Sequence, residues 1–192
     1  MSGTEKEALK AAWKRNVSLF IAMSLDGYIA DSAGRVDWLK GHDSSSGDDG
    51  AYCEFIQGID TVLMGWNTYH QIVTELSPGK WVYGDLDTYV ITHRKHASSG
   101  KIQFTDKNPA GLIDELKKRN GKGIWICGGA SIVRQLVDAD VIDCYCITII
   151  PVLLGAGIRL FEGGAREIPL ELLNVRAYNG MTELRYERRQ TP

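Results

Sequence analysis

Long apolar runs are missing from this chain of 192 residues. None approaches the roughly 20 apolar residues that a membrane-spanning helix needs. Met1 to Arg15 lacks the uninterrupted apolar core of a secretory signal. Glu5, Lys6, Glu7, Lys10, Lys14 and Arg15 instead make residues 1–16 a solvated arm, ahead of one expected domain over 17–192. An excess of charge of one sign is also absent: the formal net charge is −2. Nothing electrostatic therefore points to nucleic acid or an anionic membrane as partner. Cysteine is scarce, at four residues, and no C-x-x-C pair occurs. Cys144 and Cys146 fall on one face of an expected strand, a spacing poorly suited to a mutual disulfide. Reduced thiols in a cytoplasmic protein, with no zinc or other metal site, are the expectation.

Two nucleotide-binding signatures are missing as well. No G-x-x-x-x-G-K-[ST] occurs, which excludes a P-loop NTPase, and no G-x-G-x-x-G follows the first apolar run, which disfavours a Rossmann dehydrogenase. What the chain does hold is Ile124-Trp-Ile-Cys-Gly-Gly-Ala-Ser-Ile-Val133. An apolar run that stops at two glycines and resumes with helical spacing reads as strand, tight turn and helix start. Glycine there lets backbone approach a ligand without a Cβ, and the free N–H groups of the helix start favour an anion. A Gly-Gly turn that merely rounds a corner explains the same residues.

The rest of the chain alternates in the same way. Strands are expected at 17–23, 61–64, 88–92, 102–104 and 142–150, with Ser24 to Gly50 a long loop between the first two. Within it, Asp43 to Gly50 has the composition of an unstructured segment. Helices are expected around 51–57, from Gly65 to Ile72, after the Asn108 cap with Pro109 at its first turn, and from Ala130 onward. Asn179-Gly180 marks a closing hairpin between 172–178 and 181–187. Alternating strands and helices imply a mostly parallel sheet with helices on both faces.

Four segments in this order resemble the dihydrofolate reductase-like superfamily, in the branch of the riboflavin biosynthesis reductases (the RibD C-terminal domain). They are Ala22-Met-Ser-Leu-Asp-Gly-Tyr-Ile-Ala30 with Val36-Asp-Trp-Leu39, then Val62-Leu-Met-Gly-Trp-Asn-Thr-Tyr69, Ile126-Cys-Gly-Gly-Ala-Ser131, and Pro151-Val-Leu-Leu-Gly-Ala-Gly157. The resemblance implies a three-layer α/β fold with a C-terminal antiparallel hairpin. It also implies an NADPH-dependent reductase acting on a small heterocycle, pyrimidine-like as in 5-amino-6-(5-phosphoribosylamino)uracil reductases, or pterin-like. NADH in place of NADPH, a catalytically silent nucleotide-binding module and a true dihydrofolate reductase are the alternatives.

By resemblance, Ala22 and Ile29 meet the nicotinamide, while Gly65, Trp66 and Thr68 form one phosphate turn. Thr92, His93 and Arg94 surround the adenosine, and Cys127, Gly128, Gly129, Ala130 and Ser131 form the second turn. Trp66 stands where the family often has an arginine, so Arg94 and Lys95 are the candidate partners of a 2′-phosphate. Asp26 is the candidate catalytic group or loop-ordering residue. Asp37, Trp38 and Tyr52 are candidate substrate contacts, and the apolar Val152, Leu153 and Leu154 suggest a homodimer.

Overall fold

The computed structural model describes residues 15–40, 50–163 and 166–189. Ten strands and four α-helices follow the expected alternation. They are β1 (Val17–Ser24), β2 (Tyr28–Ala30), α1 (Gly50–Gln57), β3 (Ile59–Gly65), α2 (Trp66–Gln71), β4 (Asp87–Ile91), β5 (Ile102–Thr105), α3 (Pro109–Lys117), β6 (Gly123–Gly128), α4 (Ala130–Asp138), β7 (Cys144–Ile150), β8 (Ile158–Arg159), β9 (Leu170–Tyr178) and β10 (Met181–Arg188). Residues 1–14 of the expected arm at 1–16, and most of the Asp43 to Gly50 stretch, lie outside the described residues. Among the described residues no helix is long and apolar enough to cross a membrane.

Eight strands form one sheet in the order β5-β4-β3-β6-β1-β7-β10-β9. The first six run parallel, and β10 returns antiparallel beside β7 with β9 at the edge. Alternation along each strand assigns the side chains to two cores. Val17, Leu19, Leu63, Ile124 and Ile126 face α3 and α4, which contribute Leu112, Ile113, Leu116, Ile132, Val133 and Leu136. Val62, Met64, Trp125, Cys144 and Cys146 face α1 and the turn after α2, through Phe55 and Ile72. The result is three layers, helix–sheet–helix, as expected for a sheet buried on both faces.

Local chemistry accounts for the element ends. The Asn108 side chain accepts from the N–H groups of Ala110 and Gly111, and Pro109 occupies a position where its missing N–H costs nothing. Asn179 and Gly180 both take positive φ, 47° and 74°, which makes the tight hairpin turn that joins β9 to β10. Three boundaries differ from expectation. The helix opened by Gly65 runs past Ile72 as a π-helical turn, Ile72–Leu76, closed by Ser77 N–H donating to Ile72 O at 2.8 Å. β7 begins at Cys144, and Ile142 packs into the core from the preceding connection. The long loop holds a short strand, β2, paired antiparallel with β8. Neither partner has enough residues for an alternation pattern to show.

Candidate functional site

The parallel strands β3 and β6 are neighbours, with Met64 beside Gly128 in register. Both strands end on glycine and both turn at once into a helix, so the two turns lie side by side. A Cβ on Gly65 would sit 3.2 Å from Ile132 Cγ1 and 3.9 Å from Gly129 N. A Cβ on Gly129 would sit 3.4 Å from Thr68 Oγ1, and one on Gly128 3.9 Å from the same hydroxyl. Gly65, Thr68, Gly128 and Gly129 therefore line one narrow cradle. Gly128 has φ of 125°, a region that favours glycine, and the Gly128–Gly129 peptide is cis. No side chain caps the start of α2 or α4, so the N–H groups of the first turns are left for another acceptor. Ala130 and the exposed Ser131 supply those of α4. A dinucleotide pyrophosphate fits this cradle: it is anionic, and the space it needs is the space that side chains would fill.

Next to the cradle, at the end of β4, the chain turns with Arg94 N–H donating to Thr92 Oγ1 at 3.0 Å. That turn aims the Arg94 guanidinium over the Trp66 indole, 4.9 Å from its centroid. The His96 ring stacks on the same indole at 4.3 Å and 18°. Trp66 thus organises a cation and an imidazole at the cradle's flank, while His93 is exposed. Cys127, just before the glycines, sits 3.8 Å from the Tyr83 hydroxyl. Burial pushes its thiol up to about 12, so it is a packing group and no thiolate nucleophile near neutral pH. Ala22 lies at the far end of β1, level with Thr148 of β7, and Ile29 packs partly buried on the α4 side of the core.

Asp26 follows β1, and its carboxylate is committed. It accepts from Ser24 Oγ at 2.6 Å, Leu154 N–H at 3.1 Å and Gly155 N–H at 2.7 Å. The Ser24 hydroxyl and the two backbone N–H groups lower its pKa from 3.8 to about 2. Held as an anion by three donors, Asp26 ties the loop after β1 to the loop after β7. Such a tie is what a loop-ordering role requires of this carboxylate. The depressed pKa belongs to the folded state, so its stabilisation is complete above 3.8 and lost as pH falls through about 2. An Asp26→Asn variant should be less stable than wild type at neutral pH. The two urea midpoints should converge toward the acid end of that window, and a constant gap at all pH values would contradict the assignment.

The candidate substrate residues do not form one group. Tyr52 on α1 packs beside Phe20 and Trp125, with ring centroids 6.1 and 6.0 Å apart. Trp38 donates through Nε1 to Arg35 O at 3.2 Å, and Asp37 is exposed in the adjoining turn. This loop is anchored on the α2 side, where Gln71 Nε2 donates to Gly34 O at 2.9 Å. The sequence reading missed the β2–β8 ribbon that frames the other side. There Arg159 donates to the Tyr28 hydroxyl at 3.0 Å, and Gly157, with φ of 151°, passes so close to Ala30 O that a Cβ would overlap it. A groove of about 300 Å3 lies elsewhere, between α4 and β9, lined by Val137, Tyr145, Phe161 and Leu170 among others. It shares no residue with the glycine cradle.

Comparison with known proteins gives the family and the fold. Residues 15–182 match the RibD C-terminal domain. The uncharacterized protein YwjB of Bacillus subtilis (strain 168) is 36% identical over 178 residues, covering 91% of this chain and 99% of its own. A crystal structure from Shewanella sp. PV-4, of a protein named for riboflavin biosynthesis, superposes with a TM-score of 0.81 at 25% identity. That match covers 91% of this chain and 99% of the other. Dihydrofolate reductase from Enterococcus faecalis, complexed with NADP(H), shares the fold at a TM-score of 0.65 and 15% identity, covering 93% and 99%. With its dihydrofolate reductase-like sheet and its paired glycine turns, the chain belongs to the RibD C-terminal domain family.

Proposed function

We propose that the protein is an NADPH-dependent reductase acting on a small heterocycle of the riboflavin-precursor or pterin type. The observation that carries this reading is the meeting of two glycine turns and two uncapped helix starts at adjacent strand ends. When bound, the nicotinamide supplies a hydride to a C=N or C=O carbon; the protein supplies position and polarity. Gly65, Thr68, Gly128, Gly129, Ala130 and Ser131 hold the pyrophosphate. Thr92, Trp66 and Arg94 receive the adenosine end, and Ala22 with Ile29 borders the nicotinamide end. Asp26, committed as an acceptor, keeps the flanking loops in place instead of delivering the proton.

Trp66 has no charge for a 2′-phosphate, but it positions Arg94, which has. One charge-assisted hydrogen bond of about 1.5–3 kcal/mol favours NADPH over NADH by roughly ten- to a hundredfold. Titration of the protein with each cofactor, followed by tryptophan fluorescence, tests this. Saturable binding with that preference is expected, and Arg94→Ala should remove the preference while keeping NADH affinity. Absence of saturable binding of either cofactor would overturn the reading. We also assign a homodimer in the cell's cytoplasm to this reductase. Leu25 and Leu153, on loops joined by Leu25 N–H donating to Val152 O at 2.9 Å, are exposed and offer apolar surface for a second copy.

A further inference from the structure

Strand register sets four side chains in a line across the sheet. Ala22 of β1 is opposite Thr148 of β7, Thr148 is opposite Glu183 of β10, and Glu183 is opposite Arg176 of β9. Residues directly opposite in a sheet share a face. This face is the α1 side, since Phe20, two residues before Ala22, stacks on Phe55 of α1 at 4.3 Å. At about 4.8 Å per strand, the line runs roughly 14 Å from Ala22 to Arg176. It passes from a small apolar group through a hydroxyl and a carboxylate to a guanidinium. Thr148 is 7% exposed, so the hydroxyl is set at the floor, whereas Glu183 and Arg176 are half-buried.

Opposite charges directly across two strands, as in Glu183 and Arg176, stabilise a sheet edge; that pairing does not account for the reach of Arg176 to α1. Arg176 does not complete its charge pairing within the sheet alone: its Nη2 reaches α1 and donates to Glu54 Oε2 at 3.3 Å. Glu54 is the more exposed partner, at 56% against 26% for Arg176. The guanidinium is thus held at the rim by a carboxylate that solvent, or another anion, readily replaces.

We propose that the Thr148–Glu183–Arg176 line is the surface that reads the substrate, which is a nitrogen heterocycle with an N–H edge and an anionic tail. This rests on the reductase reading above, which places the nicotinamide end at Ala22. The ring lies beside Ala22, its N–H donors meet the Thr148 hydroxyl and the Glu183 carboxylate, and its phosphate or carboxylate tail displaces Glu54 from Arg176. A carboxylate accepts only, so Glu183 selects donors, and Arg176 donates only, so it selects anions. The C-terminal hairpin thereby sets specificity for a site whose cofactor half is built elsewhere.

The test uses the NADPH-loaded protein and two probes, 5-amino-6-(5-phosphoribosylamino)uracil and its dephosphorylated form, with affinities measured by calorimetry. Arg176→Ala should weaken the phosphorylated probe roughly tenfold or more and leave the dephosphorylated one nearly unchanged. Glu54→Gln should act in the opposite direction and tighten the phosphorylated probe by about two- to fivefold, because it frees Arg176. Glu183→Gln should weaken both probes roughly tenfold. NADPH affinity should be unchanged in all three. Wild-type binding of both probes that survives Arg176→Ala and Glu183→Gln overturns the proposal, as does an NADPH-loaded protein that binds neither probe. Failure of the wild-type protein to bind NADPH strikes the reductase reading instead, which keeps the two separable.

Discussion

Replacing Ser131 by aspartate should stabilise the fold and abolish dinucleotide binding. Ser131 is exposed in the first turn of α4, two residues after the uncapped Gly129. A carboxylate at that point complements the helix dipole and contributes about 0.3–1 kcal/mol to stability. The same charge faces the position of the pyrophosphate across the cradle. Two unit charges some 4–5 Å apart repel by about 3–4 kcal/mol at an effective dielectric near 20, a loss of more than a hundredfold in affinity. The new carboxylate also accepts from the N–H groups that would otherwise receive the phosphate. A melting temperature at or above wild type, together with lost NADPH saturation, is the expected pair of results. A general packing defect lowers both quantities, so the opposite signs single out the anion site. Unchanged NADPH affinity would mean that no phosphate sits at the start of α4.

The parts of this site differ in how plainly the sequence shows them. The glycine turns are legible because glycine at a strand end is a local requirement, and Gly65 and Gly128-Gly129 carry it in single residues. That they face one another is a matter of strand order, and β6 lies beside β3 only through crossovers that no local pattern encodes. Asn108 and Asn179-Gly180 declared their cap and their turn for the same local reason. Asp26 was readable as a catalytic or loop-ordering candidate, but its partners, the N–H groups of Leu154 and Gly155, lie more than a hundred positions away. The Thr148–Glu183–Arg176 line has a partial trace in the sequence. Alternation in Met181-Thr-Glu-Leu-Arg-Tyr-Glu187 puts Glu183, Arg185 and Glu187 on one face. Which strand that face continues, and that the row ends level with Ala22, depends on register. Trp66 and His96 illustrate the converse: the sequence marks the indole only as part of the first glycine turn, and the imidazole that lies on it comes from thirty positions away.

Trp125→Ala should cost the protein about 3–5 kcal/mol, as truncation of a buried tryptophan does. The residue stands in the middle of β6, 4% exposed, and four aromatic rings pack around it. Phe55 and Phe20 meet it nearly edge-on at 5.7 and 6.3 Å, Tyr52 at 6.0 Å and Tyr83 at 4.9 Å. Its Nε1–H also donates to Phe20 O at 2.9 Å. Trp125→Phe keeps one aromatic ring in the cluster but removes the pyrrole half of the indole and the donor to the part-buried Phe20 carbonyl, so it should cost less than the alanine variant, with about 1–3 kcal/mol from the lost donor. Urea denaturation of the two variants measures both figures. The functional consequence follows from what the cluster holds. Phe55 and Tyr52 are the feet of α1 on the sheet, and α1 carries Glu54, the counterpart of Arg176. Loosening α1 should therefore weaken the phosphorylated pyrimidine probe while NADPH, held by backbone at the C-terminal end of β6, keeps its affinity. A Trp125→Ala protein that stays folded in the cold and loses both ligands equally would contradict that division of the site.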